Sequence, residues 1–170
     1  LLDKGIIEKL YEASQAGVKI ELIVRGICVL IPGIPGASDN ITVRSIVGRF
    51  LEHSRIFWFR NGGREELYIS SADWMPRNLN DRVELMVPIE DPEIKRRLKQ
   101  MVDIELSDNQ KAHIMQADGT WLKTISAENQ LCAQEYFQKI AEKRDAEDEM
   151  TLAQKLEPYT PVLGHGDGSD

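Results

Sequence analysis

His53, in the stretch Phe50-Leu51-Glu52-His53-Ser54-Arg55, has a side chain that can exchange a proton at neutral pH or attack phosphorus. Arg55, two residues on, points to the same side of an extended chain, so both side chains can face one ligand. A lone histidine is more often structural than catalytic, and that alternative stays open on these residues alone. Around it, eight arginines (25, 44, 49, 55, 60, 64, 77 and 82) occur between Arg25 and Arg82 without a single lysine. Arginine offers a planar fork that matches phosphate oxygens two at a time and keeps its charge in any site. The run therefore points to a polyanionic or phosphate-rich ligand. The competing reading pairs individual arginines with the six acids of the same stretch as surface ion pairs.

Three further groups could serve such a ligand. Arg25-Gly26 follows a strand-like segment, and ligands in α/β folds lie beyond the carboxyl ends of strands, where glycine lets a phosphate approach the backbone. Ser70-Ser71-Ala72-Asp73-Trp74-Met75-Pro76-Arg77-Asn78 is dense in hydrogen-bonding groups. It is either a strand-end turn, with Asp73 capping a helix and Trp74 packed on the core, or a site in which Ser70, Ser71 and Asn78 face the ligand and Asp73 orients a neighbour. Glu84, within Arg82-Val83-Glu84-Leu85-Met86, is either a solvent-facing strand residue or a carboxylate that holds His53 or an arginine.

The elements that must position these residues alternate between helix and strand. Asp3 is an N-cap, Ile6, Ile7, Leu10, Tyr11 and Ala13 recur at helical spacing, and Gly17 suits the helix end. Val18–Val24 reads as a buried strand, 31–40 as a turn-rich loop and 41–47 as a second strand. Residues 48–53 suggest one helical turn. Strands follow at 55–59, 66–70 and 82–88, the first two joined as a hairpin through Asn61-Gly62-Gly63. Asp91-Pro92 opens a helix with Ile94, Leu98, Met101 and Val102 on its apolar stripe. Ser126 is expected to cap a further helix that buries Cys132, Tyr136, Phe137 and Ile140. Residues 157–170, with two prolines and three glycines, read as a disordered tail. The fold class expected is α/β.

A chain of 170 residues, 42% hydrophobic and 29% charged, fits one globular domain, or one domain plus an appendage. It opens on Leu1-Leu2-Asp3 rather than methionine, which reads as a piece of something longer. No apolar run approaches the roughly 20 residues of a membrane span. Cys28 and Cys132 have neither metal-ligand nor disulfide-framework spacing, so a reducing cytoplasm is expected and Cys28 reads as a small core residue. The net charge of −7 is uneven. Residues 1–100 carry 15 Lys and Arg against 14 Asp and Glu, and residues 101–170 carry 6 against 14. The acidity belongs to the tail and says little about what the front half binds. His113 and His165 carry no functional expectation.

The segments 13–20 (Ala-Ser-Gln-Ala-Gly-Val-Lys-Ile), 23–28 (Ile-Val-Arg-Gly-Ile-Cys), 44–55 (Arg-Ser-Ile-Val-Gly-Arg-Phe-Leu-Glu-His-Ser-Arg) and 70–78 resemble the type 1 polyphosphate kinases. The resemblance runs from about residue 3 to 110. It implies a phospholipase D-like mixed sheet flanked by helices and incomplete at its N-terminal edge. The expected divisions are a partial second catalytic domain at 1–110, a helical extension at 111–156 and the tail. The phospholipase D superfamily carries His-x-Lys-x4-Asp followed by Gly-Ser-x-Asn. Here His53-x-Arg55 keeps the histidine and a basic residue, Arg60 stands at the aspartate position, and Ser70-Ser71-Ala72-Asp73 replaces the glycine-serine element. Those departures argue against a phosphodiesterase.

By the same resemblance, Arg25 corresponds to an ATP-phosphate-binding arginine and His53 to an active-site histidine that contacts ATP phosphates and assists proton transfer. Their 28-residue spacing agrees. Arg55, Ser70, Ser71, Asp73, Arg77, Asn78, Arg82 and Glu84 would either touch polyphosphate or support the residues that do. The family's phosphorylated histidine, adenine pocket and magnesium contacts lie upstream, so no metal ligand is expected here although Mg2+ is expected in the full enzyme. The implied function is reversible transfer of the ATP terminal phosphate to polyphosphate, and the isolated chain is expected to be inactive. The implied partners are ATP/ADP, polyphosphate, upstream domains of the same enzyme and a homo-oligomer, with no nucleic acid and no membrane span. The implied location is cytoplasmic, or peripheral at the membrane. The alternatives are a non-catalytic polyanion-binding or assembly module and a phospholipase D-like phosphodiesterase.

Overall fold

A computed structural model describes residues 1–155, with side chains through Asp145. The expectations for the 157–170 tail and His165 lie outside the described residues. Two compact units divide the chain, Leu1–Gln134 and the remainder from Glu135.

In the first unit, helix α1 (Lys4–Gln15) starts where the Asp3 carboxylate accepts from the Ile6 amide at 2.9 Å, and Gly17 follows it at φ +86°. Strand β1 (Ile20–Ile23) pairs in parallel with β2 (Ile41–Ile46), whose alternate residues Ile41 and Val43 are buried. The connection between these strands folds on buried hydroxyls instead of a helix. Ser38 accepts from the Ile34 amide at 2.9 Å and donates to the Ile31 carbonyl at 2.8 Å, and Ser14 accepts from the Asn40 amide. Each buried polar group is thereby paired. Leu1, Ile7, Leu30, Ile41, Val43 and Met115 form the core, and half-buried Cys28 packs against it.

Strands β3 (Ile56–Phe59) and β4 (Glu66–Ser70) form the expected hairpin across the Asn61–Gly63 turn, with Gly62 at φ +61°. A short helix α2 (Pro76–Asn80) precedes β5 (Met86–Pro88), which pairs with β4. Helix α3 (Pro92–Leu106) is capped by Asp91, whose carboxylate accepts from the Glu93 and Ile94 amides at 2.9 Å each. After it come β6 (Ala112–Met115) and β7 (Trp121–Lys123).

These strands form two sheets, a mixed one in the order β1-β2-β6-β7 and an antiparallel one in the order β3-β4-β5. The α/β class holds, with two sheets in place of the one expected. Val18–Val24 is not a buried strand. Its regular part is β1, the terminal strand of the mixed sheet, with Leu22 and Ile23 half-buried and Glu21 exposed. No helical turn forms over 48–53. The stretch 111–156 is not helical throughout, because β6 joins β2 and turns through Asp118-Gly119 into β7. Asp118 accepts from the Thr120 amide at 2.9 Å and Gly119 takes φ +83°. Ser126 caps no helix. Its hydroxyl accepts from Glu128, and helix α4 begins only at Ala133.

The second unit is described as the continuation of α4 to Lys155. Tyr136 and Phe137 meet edge to face there at 6.0 Å, and Ile140 is exposed rather than buried.

Candidate functional site

Antiparallel pairing of β3 with β4 brings Arg55, just before β3, beside the chain that leaves Ser70. The Ser70 amide donates to the Arg55 carbonyl at 3.0 Å, extending the pairing by one residue. Asp73 lies three residues further, in a loop fixed by Trp74 stacking on Phe57 at 4.9 Å and by the Trp74 carbonyl accepting from the Leu2 and Asp3 amides. Asp73 does not cap α2, whose N-cap is Met75.

Asp73 instead organises two cations. Arg55 Nε donates to its Oδ1 at 3.0 Å, and an Arg25 terminal nitrogen lies 3.7 Å from its Oδ2. The Arg55 hydrogen bond, reinforced by the charges of Arg55 and Arg25, holds the Asp73 carboxyl below its ordinary range despite partial burial. Arg55 then reaches on to His53, donating through one terminal nitrogen to the His53 carbonyl at 3.0 Å and contacting ring Nδ1 at 3.0 Å. The same nitrogen lies 3.5 Å from ring Nε2, so the guanidinium rests against the imidazole without selecting which ring nitrogen carries the proton. The exposed His53 is thus held beside the Arg55 guanidinium, which fixes its backbone carbonyl. Arg25, Asp73, Arg55 and His53 form one connected chain.

A second group gathers on Glu84. Asn78 Nδ2 donates to its Oε1 at 2.9 Å, the Ser71 hydroxyl donates to Oε2, and Arg82 lies 4.0 Å away. Those hydrogen bonds, Ser71 first and Asn78 second, lower the Glu84 pKa, aided by the charges of Arg82 and Arg55. Glu84 lies before β5, not inside a strand, and its hydrogen bonds are to Ser71 and Asn78, not to His53. Ser70 donates to the Leu85 carbonyl and accepts from the Ala72 amide, while Ser71 accepts from the Leu85 amide. Ser70, Ser71 and Asn78 thereby tie the loop together. Arg77 on α2 is exposed, and the Arg82 side chain is also open to solvent.

The remaining arginines differ in role. Arg44 reaches under the end of α3 to donate to the Leu106 carbonyl, and burial lowers its pKa. Arg49 lies 5.5 Å from the Phe50 ring centre, and Arg60 and Arg64 are exposed at the hairpin turn. Among the described residues no three His, Cys, Asp or Glu side chains gather in a way that could hold a metal ion. Sequence reasoning missed Gln134, which contacts the loop bearing His53 from 84 residues away. No local pattern marks it.

The model of the polyphosphate kinase C-terminal domain 2 family matches residues 1–134. A polyphosphate kinase of Staphylococcus haemolyticus is 53% identical over 154 residues, which are 91% of this chain and 21% of that protein. One from Pseudomonas aeruginosa is 55% identical over 130 residues, 76% of this chain and 19% of that protein. The crystal structure of polyphosphate kinase from Porphyromonas gingivalis superposes with a TM-score of 0.80 at 43% identity, covering 86% of this chain and 23% of that one. The chain thus spans about a fifth of the length of the curated relatives it matches. It belongs to the polyphosphate kinase C-terminal domain 2 family.

Proposed function

We propose that this chain is the C-terminal part of an ATP:polyphosphate phosphotransferase and supplies the phosphate-binding side of its active site. The observation that carries the reading is the linked set Arg25–Asp73–Arg55–His53. Phosphoryl transfer depends on positioning and on stabilising charge spread over phosphate oxygens more than on elaborate bond making. Arg25, anchored on one side by Asp73, offers its remaining donors to those oxygens. His53 donates a hydrogen bond to an oxygen of the transferring phosphate, or passes it a proton. Arg55 is spent on Asp73 and His53 and acts by orienting them. Arg77 and Arg82 remain open for a polyanionic chain.

The nucleophile in this reading is a histidine outside the chain, phosphorylated by ATP and discharged onto polyphosphate. Magnesium is expected in the full enzyme, but the carboxylates here do not fit it. Asp73 is held between two guanidinium groups, and Glu84 already accepts from Ser71 and Asn78. The same reading carries ATP and polyphosphate as substrates, a phospholipase D-like ancestry, a cytoplasmic location and a homo-oligomer with the rest of the enzyme. No helix among the described residues is long and apolar enough to cross a membrane.

The test is kinetic, in the full-length enzyme. Arg25→Ala and His53→Ala should each lower polyphosphate synthesis from ATP about 100-fold or more, while the protein folds normally. Wild-type rates in both variants would overturn the reading.

A further inference from the structure

His53 sits on a loop that Arg55 ties to Asp73 at one end only. Between β2 and β3 the chain has no regular structure, and its apolar residues Val47, Phe50 and Leu51 are 61%, 48% and 75% exposed. Burial therefore does not order this loop, and its hydrogen bonds must. Arg55, anchored on Asp73, holds the His53 end, and the Phe50–Glu52 end is held by Gln134, which is only 6% exposed. Its Nε2 donates to the Phe50 carbonyl at 2.8 Å and to Glu52 Oε1 at 2.6 Å, and its Oε1 accepts from the Phe50 amide at 3.0 Å. One side-chain amide thus satisfies both backbone groups of Phe50, as a neighbouring strand would. Gly48 makes room for it, since a Cβ there would lie 2.3 Å from Gln134 Oε1.

Gln134 is itself fixed. Asp108, 3% exposed, accepts from the Ala133 amide at 2.8 Å through Oδ2 and from the Lys111 amide at 2.7 Å through Oδ1. Asn109 exchanges two bonds with Leu131, its amide donating to the Leu131 carbonyl at 3.0 Å and its Oδ1 accepting from the Leu131 amide at 2.8 Å. The start of α4 is thereby tied to the turn between α3 and β6, and its second residue presents an amide to the loop.

We propose that Gln134 is a positioning residue for His53, a latch that holds Phe50 and Glu52 so that the imidazole meets the phosphate in one place. The proposal rests on the reading of His53 given above. It assigns a function to a residue 81 positions away in the chain, and it makes Gly48 part of the same device.

The experiment uses the full-length enzyme with Gln134→Ala, Gln134→Glu, His53→Ala and the double variant Gln134→Ala/His53→Ala. Gln134→Ala should lower kcat about 10- to 100-fold by misplacing the imidazole. In the His53→Ala background it should cost little more, because its effect runs through the missing ring. Amide exchange of the 48–53 segment should accelerate in Gln134→Ala. The charged groups around the position are Arg49 and Glu52 on the loop, Glu105 on α3 and Asp108 at the base of α4. In Gln134→Glu, a carboxylate facing the Phe50 carbonyl and Glu52 should repel the loop near about pH 8, and protonation near about pH 6 should restore much of the activity. Equal losses from Gln134→Ala with and without His53 would overturn the proposal. So would unchanged exchange over 48–53, or a Gln134→Glu defect that ignores pH. A fully active His53→Ala enzyme would instead remove the reading on which the proposal rests, whatever the exchange data show.

Discussion

Asp73 is the residue on which the site turns, because one carboxylate sets the direction of two guanidinium groups. Asp73→Asn keeps an acceptor for Arg55 but removes the charge that holds Arg25, so phosphate affinity and turnover should both suffer. The expected loss in the full enzyme is about 10-fold, in line with a charge-assisted hydrogen bond, and steady-state kinetics with ATP varied would measure it. The same substitution has a pH signature. The folded-state pKa of Asp73 is depressed, so its stabilisation is present above the unfolded value and is lost as pH falls through the folded one. Asp73→Asn should thus be less stable than wild type at neutral pH, and the gap should close below about pH 4. Urea midpoints compared at pH 7 and in that acid range would check it. Glu84 shifts in the same direction, so the wild-type acid transition should survive in part in the variant.

At the scale of elements, α3 carries an opposite signature. Glu105, near its C-terminal end, has its pKa raised to about 7, first by burial and then by the neighbouring Glu52. A carboxyl raised in the folded state binds more protons there than in the unfolded chain, so stability falls as pH rises from about 4.5 to 7. Glu105→Gln should therefore stabilise the protein at pH 8, by up to about 3 kcal/mol if the whole shift is expressed, and change it much less at pH 5. Denaturant midpoints at the two pH values would decide this. The connection between β1 and β2 makes a second element-scale prediction. It crosses between parallel strands without a helix, on hydrogen bonds to Ser38 and Ser14. Ser38 is fully buried, so Ser38→Ala leaves the Ile34 amide and Ile31 carbonyl without that partner and should cost about 1–3 kcal/mol.

At the scale of the whole molecule, the charge is divided. The site arginines lie in a nearly neutral front half, and the acids accumulate after residue 100. Binding of long-chain polyphosphate to this chain should therefore be strongly salt-dependent, since each phosphate contact releases counterions. It should be weakened by Arg25→Ala and less affected by Arg60→Ala, at the exposed hairpin turn. Titrations at two salt concentrations would measure both effects. Salt-independent binding, or none by the folded chain, would place the polyanion site outside these residues.

Much of the architecture is legible because its signals are local. The caps at Asp3 and Asp91 act within three residues, the alternation Ile41-x-Val43 needs only the strand period, and Asn61-Gly62-Gly63 marks a turn by its own backbone freedom. Asp118-Gly119 carries the same kind of mark for the turn between β6 and β7, within a stretch whose helical expectation the two strands replace. His53, Arg25 and Asp73 were nameable from residue type and motif, but nothing in their neighbourhoods specifies that one carboxylate bridges Arg25 and Arg55. Contacts between distant segments require strands to find partners, and pairing is set by the packing of whole sheets. The division into two sheets, the commitment of Ser71 and Asn78 to Glu84, and the grip of Gln134 on Phe50 across 84 residues all belong to that second class. A chain's local chemistry chooses its elements and its reactive side chains, and the long-range packing of those elements decides which side chains meet.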